Sequence, residues 1–150
     1  MKNIFLLLLV NITGVSFLYG QHSTPNTVQQ KAIASLIDQY SEAREKSDTV
    51  LLKNILTTDV DQLVSTGEWR NGISAAVQGM LKSSANSPGT RTLRIETIRM
   101  FSPSIAMVDC RYEIQNTDGT IRKMWSTFFV VAKKGIWKIT AIRNMMPASS

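Results

Sequence analysis

From Thr90 to Met146 the chain is a run of four long strand-like segments joined by turns of three or four residues, and this run limits the fold more than any other feature. Thr90–Phe101 is rich in β-branched residues and ends at Ser102-Pro-Ser104. Ile105–Gln115 follows, then Asn116-Thr-Asp-Gly119, a strong hairpin signal because Gly tolerates the positive φ of such a turn. Thr120–Ala132 is the third segment, Lys133-Lys-Gly135 turns the chain, and Ile136–Met146 is the fourth. Long neighbours on short turns pair antiparallel, so this half of the chain predicts a meander.

Ahead of it the period is helical. Asn26 with Gln29 forms a capping-box pattern, and Ile33, Leu36, Ile37, Tyr40 and Ala43 recur at helical spacing through a first helix over 27–46. Lys31, Asp38, Glu42, Arg44, Glu45 and Lys46 fall between them as a solvated face. Asp48 caps a short helix over 49–57, and a strand over 59–66 leads through Gly67-Glu68 to Trp69-Arg70. Ile73, Ala76, Val77, Met80 and Leu81 mark a third helix over 73–82, followed by a loop from Ser83 to Thr90. Helices before strands indicate α+β. Three N-terminal helices whose apolar stripes need a partner pack on a strongly curved antiparallel sheet, and the result is a cone with a pocket at its mouth.

Residues 1–21 stand apart. Lys2 precedes the apolar run Ile4–Val10, and Gly20 offers a small residue near a cut, which is the pattern of a secretory signal peptide. The run is too short and too diluted for a spanning helix. The expectation is export to the periplasm or outside the cell, with no membrane association after cleavage and one domain over 27–148. The 150 residues carry Lys+Arg 17 against Asp+Glu 11, a net charge of +6 that is scattered and so points only weakly to nucleic acid. The aromatics form no RNA-binding consensus, and phosphate-loop and nucleotide-binding Gly patterns are missing, so no cofactor and no nucleic-acid partner are expected. One Cys and one His exclude a disulfide framework and the usual zinc sites. Cys110, inside a strand, reads as a small buried hydrophobe.

The runs Asp59–Gly72, Ser84–Thr92, Ser102–Ile114, Lys123–Phe128 and Gly135–Ala148 together resemble the SnoaL-like branch of the nuclear transport factor 2-like superfamily, close to its SgcJ/EcaC group. The resemblance implies the cone-shaped fold and a homodimer. It also implies a superfamily of isomerases, cyclases, dehydratases and pure binding proteins, in which an oxidoreductase label is inherited by name. Catalytic relatives place an Asp/His pair or an Asp/Tyr set in the cone. Here the only His is His22, at the start of the mature chain, so a His-based dyad is missing.

Alternation along the strands sorts the polar candidates into faces. Met107, Asp109, Arg111 and Glu113 share one face of the second strand; Val108, Cys110, Tyr112 and Ile114 share the other. The fourth strand is divided in the same way, Trp137, Ile139, Ala141, Arg143 and Met145 against Ile136, Thr140, Ile142, Asn144 and Met146. Apolar residues on both faces fit helices on one side and a second subunit on the other. Asp109, set in an apolar run, needs a partner, and Arg111 or Arg143 has the right parity; the other reading is a pocket acid or base. Asp61 is a second candidate, Asp59 beside it a turn residue. Trp69, Tyr112, Trp125, Arg143 and Asn144 are candidates for the pocket, and Trp137 for the core. The leading functional expectation is a domain binding a small, partly apolar molecule in the cone. The alternatives are an acid–base enzyme using Asp109 or Asp61 with Tyr112 and Arg143, and a protein–protein interaction module.

The charge at Lys2 and the run to Val10 predict cleavage near residues 20–22. N-terminal sequencing of the exported protein checks it, and an intact Met1 in a soluble cytoplasmic pool would defeat it.

Overall fold

The computed structural model describes residues 27–147; the segment 1–21, expected to be a signal peptide, and Asn26 lie outside the described residues. Helix α1 spans Val28–Glu45, α2 Thr49–Ile55 and α3 Gly72–Asn86, with strands β1 Leu56–Leu63, β2 Trp69–Asn71, β3 Gly89–Ser102, β4 Ile105–Asn116, β5 Ile121–Lys133 and β6 Ile136–Met145. The fold is α+β, three helices on one curled six-stranded sheet of order β2-β1-β6-β5-β4-β3.

Local chemistry fixes the ends of most elements. The capping box of α1 is made by Thr27 and Gln30: Thr27 Oγ1 accepts from the Gln30 amide at 3.3 Å and Gln30 Oε1 from the Thr27 amide at 3.3 Å. Asp48 accepts from the Val50 and Leu51 amides at the start of α2. Gly119 takes φ +86 in the β4–β5 turn and donates to the Asn116 carbonyl. Helix α3 runs one turn past its expected end, into Ser83–Asn86, because a guanidinium holds it there: Arg44 donates to Met80 O and to Ser84 Oγ, both at 3.2 Å.

The sheet is mixed, where the turns predict an antiparallel one throughout. Strands β3 to β6 form the antiparallel meander, but β1 lies parallel to β6 and is then extended by the short antiparallel β2. No short-range signal encodes a parallel pairing between segments separated by so much chain. Bulges bend the strands. Glu96 interrupts β3 opposite β4, and Thr140 interrupts β6 opposite β5, where Phe129 pairs with Ala141 but Val130 with Ile139. A further irregularity lies in β1 between Leu56 and Asp61.

The helices cover one face of the sheet. Ile33, Leu36, Ile37, Tyr40 and Ala43 of α1 meet Val108, Cys110, Phe128, Val130, Ile139 and Ile142 in one core, and the Tyr40 and Phe128 rings meet edge to face at 5.1 Å. Cys110 is fully buried, and burial pushes its thiol up to about 12, so it stays protonated and inert. Arg44, expected on the solvated face, continues the buried stripe one turn beyond Tyr40 and is 5% exposed. Gly79 of α3 belongs to the same packing. The Arg70 side chain from β2 lies across it, and a Cβ there would overlap Arg70 Cδ, Nε and Cζ.

Gly79→Ala should therefore expel the Arg70 side chain from its seat, or push α3 off β2. Overpacking of this kind costs about 1–3 kcal/mol, despite the gain in helix propensity that Ala brings. Denaturant melts of the two proteins measure it; a variant as stable as the parent would show that the seat is loose.

Candidate functional site

The bulge at Thr140 decides which side chains meet. Before it, Trp137 and Ile139 face the helices; after it, Ile142 and Asn144 do, while Ala141, Arg143 and Met145 pair with outward-facing residues of β5. A regular strand would have put Arg143 beside Trp137, so the expected parity of β6 fails beyond residue 140. On β4 the inner face is Ala106, Val108, Cys110, Tyr112 and Ile114, and Asp109 points outward.

Asp109 has a partner, but not an arginine. It accepts a hydrogen bond from Thr127 Oγ1 of β5 at 2.6 Å. Arg111 instead joins Glu96 at 3.0 Å and lies over the Trp125 ring at 5.0 Å. Arg143 pairs with Asp61 and stacks on Trp69, 4.7 Å from its centroid. Asp61, Asp109, Trp69, Trp125 and Arg143 are thus all on the outer face. Tyr112 and Asn144 are on the inner face, and they line a cavity. Neither carboxylate shares that cavity with Tyr112, so the three do not form one acid–base unit.

The cavity lies where the inner face meets the ends of α1 and α3. Tyr112 and Ile114 of β4, Arg122 and Met124 of β5 and Asn144 of β6 form the sheet side. Gln62, Val64 and Ser65 from the end of β1, Arg70 from β2, Arg44 from α1 and Ser83 from α3 close it. No carboxylate is among its lining residues, and three are guanidiniums. The free space in this partly open cavity is about 30 Å³. A water needs roughly 10–15 Å³ and a drug-sized ligand roughly 300–1,000 Å³, so this volume takes a functional group and not a ring system.

Each polar group has a defined state. Arg44 donates to Tyr40 Oη, Met80 O and Ser84 Oγ and enters no ion pair among the described residues. Among the described residues Arg122 makes a single hydrogen bond, to Ser65 Oγ at 2.7 Å, which leaves most of its donors free there. Arg70 is shared between Glu68 and Gln62. Asn144 Oδ1 accepts from Ser126 Oγ at 2.6 Å, so its amide N–H groups remain to donate. Burial pushes the Tyr112 hydroxyl above its ordinary value, against the opposing pull of Arg44 and Arg91, and it stays a neutral donor. Arg91 sits behind it; its terminal nitrogens donate to Ser87 O and Gly89 O, and its buried Nε has no partner. The inner face therefore gathers donors and positive charge, chemistry complementary to an anion.

Arg44, Arg70 and Arg122 were not singled out from the sequence. Arg44 carried a usable signal, since it stands four residues after Tyr40 on the apolar stripe. Arg122 keeps the parity of Met124 and Phe128 and could have been assigned to their face. Arg70 had no such signal, because three residues of strand give no period to read.

No protein-family model and no curated protein matches the chain. Solved structures do. A nuclear transport factor 2-like protein of unknown function from Shewanella oneidensis is 21% identical with TM-score 0.67, over 78% of this chain and 98% of its own. One from Pseudomonas putida is 14% identical with TM-score 0.70, over 84% and 92%. A nuclear transport factor 2-like superfamily protein from Salmonella enterica is 16% identical with TM-score 0.66, over 80% and 92%. The chain has the nuclear transport factor 2-like fold.

Proposed function

We propose that this is an exported binding domain that holds the anionic group of a small molecule in the cavity between Arg44, Arg70 and Arg122. The observation that carries it is the lining: three guanidiniums, the Tyr112 hydroxyl and the Asn144 amide around one space, with no carboxylate among them. Burying a guanidinium is costly unless it is paired, and Arg stays charged throughout the accessible pH range. Arg44 and Arg122 have only neutral partners among the described residues, so an incoming anion supplies what the fold leaves out. The polar lining moves the expectation from a partly apolar ligand to an anionic one, with any apolar part left at the mouth. Export rests on the Lys2 and Ile4–Val10 pattern. Placement in the SnoaL-like branch, close to the SgcJ/EcaC group, rests on the resemblance of the runs around Trp69, Tyr112 and Asn144.

Titration of the folded protein at low ionic strength with acetate, phosphate and sulfate, followed by amide chemical shifts, tests the reading. Saturable shifts are expected at Tyr112, Arg122 and Asn144. Arg122→Gln should weaken binding roughly tenfold or more, the scale of one charge-assisted hydrogen bond. If none of the three anions gives a saturable change at these residues, the reading fails.

A second reading concerns the outer face, which no helix covers. Met107, Trp125, Phe129, Val131 and Ala141 are half-buried there, and Trp69 and Met145 are about half exposed, at 52% and 51%. We infer a homodimer through this face, the apolar strip being covered by its own copy. Light scattering at micromolar concentration should give twice the chain mass, and monomer alone would overturn it.

A further inference from the structure

One of the cavity's three guanidiniums already carries a carboxylate, and it comes from the chain itself. Glu68 and Arg70 stand two residues apart across the start of β2. Arg70 Nε donates to Glu68 Oε1 at 2.9 Å and Nη2 to Oε2 at 3.3 Å, a two-pronged contact of a planar fork with a planar anion. Arg70 Nη1 donates to Gln62 Oε1 at 3.3 Å. The two halves of the pair are unequal. The Arg70 side chain is 10% exposed and laid against Gly79, whereas that of Glu68 is 57% exposed. Arg70 has nowhere to go; Glu68 has water at its back.

The carboxylate also sits on a turn whose Val64 and Ser65 line the cavity. Val64–Glu68 is closed by Gly67 N–H to Val64 O at 2.8 Å and Val64 N–H to Glu68 O at 2.9 Å, with Gly67 at φ +90. Ser65 of the same turn accepts from Arg122. Two cavity arginines are therefore engaged by this turn, one through a hydroxyl and one through a carboxylate. Glu68 loses little when it leaves, because an exposed acid regains its hydration and an exposed partner adds little to a pair. Arg70 loses much if nothing replaces it.

We propose that the ligand of the cavity is a carboxylate that exchanges with Glu68 on Arg70, and that Glu68 is a built-in competitor setting the affinity of the site. The proposal rests on the anion-binding reading above and adds the class of anion. Glu68 shows that a planar two-oxygen group fits the fork from the rim, and the free space behind it suits a carboxylate better than a bulkier tetrahedral oxoanion. Exchange leaves the charge at Arg70 balanced throughout, since one carboxylate replaces another and no proton moves.

Acetate and phosphate titrations of the full chain test it, with Glu68→Gln, Arg70→Lys, the pair of changes together, and Glu113→Gln of the outer face as a control for bulk charge. Glu68→Gln should bind acetate a few-fold more tightly than the parent, up to about fivefold, the scale of one half-exposed ion pair. Arg70→Lys should abolish that gain, because a lysine has no fork. Glu113→Gln should leave acetate binding unchanged. Glu68→Asp, which keeps the charge on a shorter stem, serves if Glu68→Gln melts early, and it too should tighten acetate binding. A parent that binds acetate in the cavity with no gain in Glu68→Gln, or with an equal gain in Glu113→Gln, overturns the exchange and leaves the anion reading standing. A larger gain for phosphate than for acetate overturns the carboxylate class. Saturable binding in neither parent nor Glu68→Gln overturns the anion reading itself.

Discussion

The buried guanidinium of Arg44 is the interaction on which the rest of the cavity side depends. It lies under the sheet at the end of α1, donates to the Tyr40 ring hydroxyl one turn back, and reaches across to Met80 and Ser84 of α3. Those bonds engage three of its five N–H donors and tie the end of α1 to the last turns of α3. They do not neutralise its charge. Neutral hydrogen-bond partners hold such a group in place, and on the proposed reading an anion in the cavity would balance its charge.

The sheet separates two chemistries by orientation alone. Outward, three arginines have found an aromatic ring or a carboxylate: Arg143 with Trp69 and Asp61, Arg111 with Trp125 and Glu96, Arg99 over Phe101. These contacts are half exposed and individually weak, and they flatten long side chains onto apolar area. Inward, Arg44 and Arg122 have only hydroxyl and carbonyl partners among the described residues. The same residue type is thus structural on one face and available on the other. The strand acids Asp61, Glu96 and Asp109 have outward parity, whereas Glu68 reaches Arg70 from the rim and Glu45, at the end of α1, accepts from the Arg91 amide.

Pattern alone went a long way on the element scale. The Asn116–Gly119 turn, the four long strands, the stripe from Ile33 to Ala43 and the Asp48 cap were all legible, because each is set by neighbours within a few residues: a φ that Gly accepts, a repeat of 3.6, an oxygen in reach of free amides. The capping box was displaced by one residue to Thr27, and β1 by three, since short-range signals fix an element better than its ends. Alternation also divides the faces of β4 as the structure has them, leaving open only which is covered. The candidate site was legible in part. Tyr112 and Asn144 were marked by type, and Arg44 was assigned to solvent because charge alone suggests water.

What the sequence by itself determined is the helix-then-meander order, the α+β class and the alternation within each unbroken strand, all consequences of local backbone geometry and of a period that needs no partner to express it. Only the tertiary structure decided which alternate is inside. One unpaired residue, Thr140, reverses the alternation of β6, and nothing near it in sequence announces a bulge that exists to fit a curled sheet against β1 and β5. The parallel seat of β1 beside β6, the burial of Arg44 beneath it and the room that Gly79 leaves for Arg70 are likewise settled by segments distant along the chain, because a face, a cavity and an uncompensated charge are properties of how elements meet.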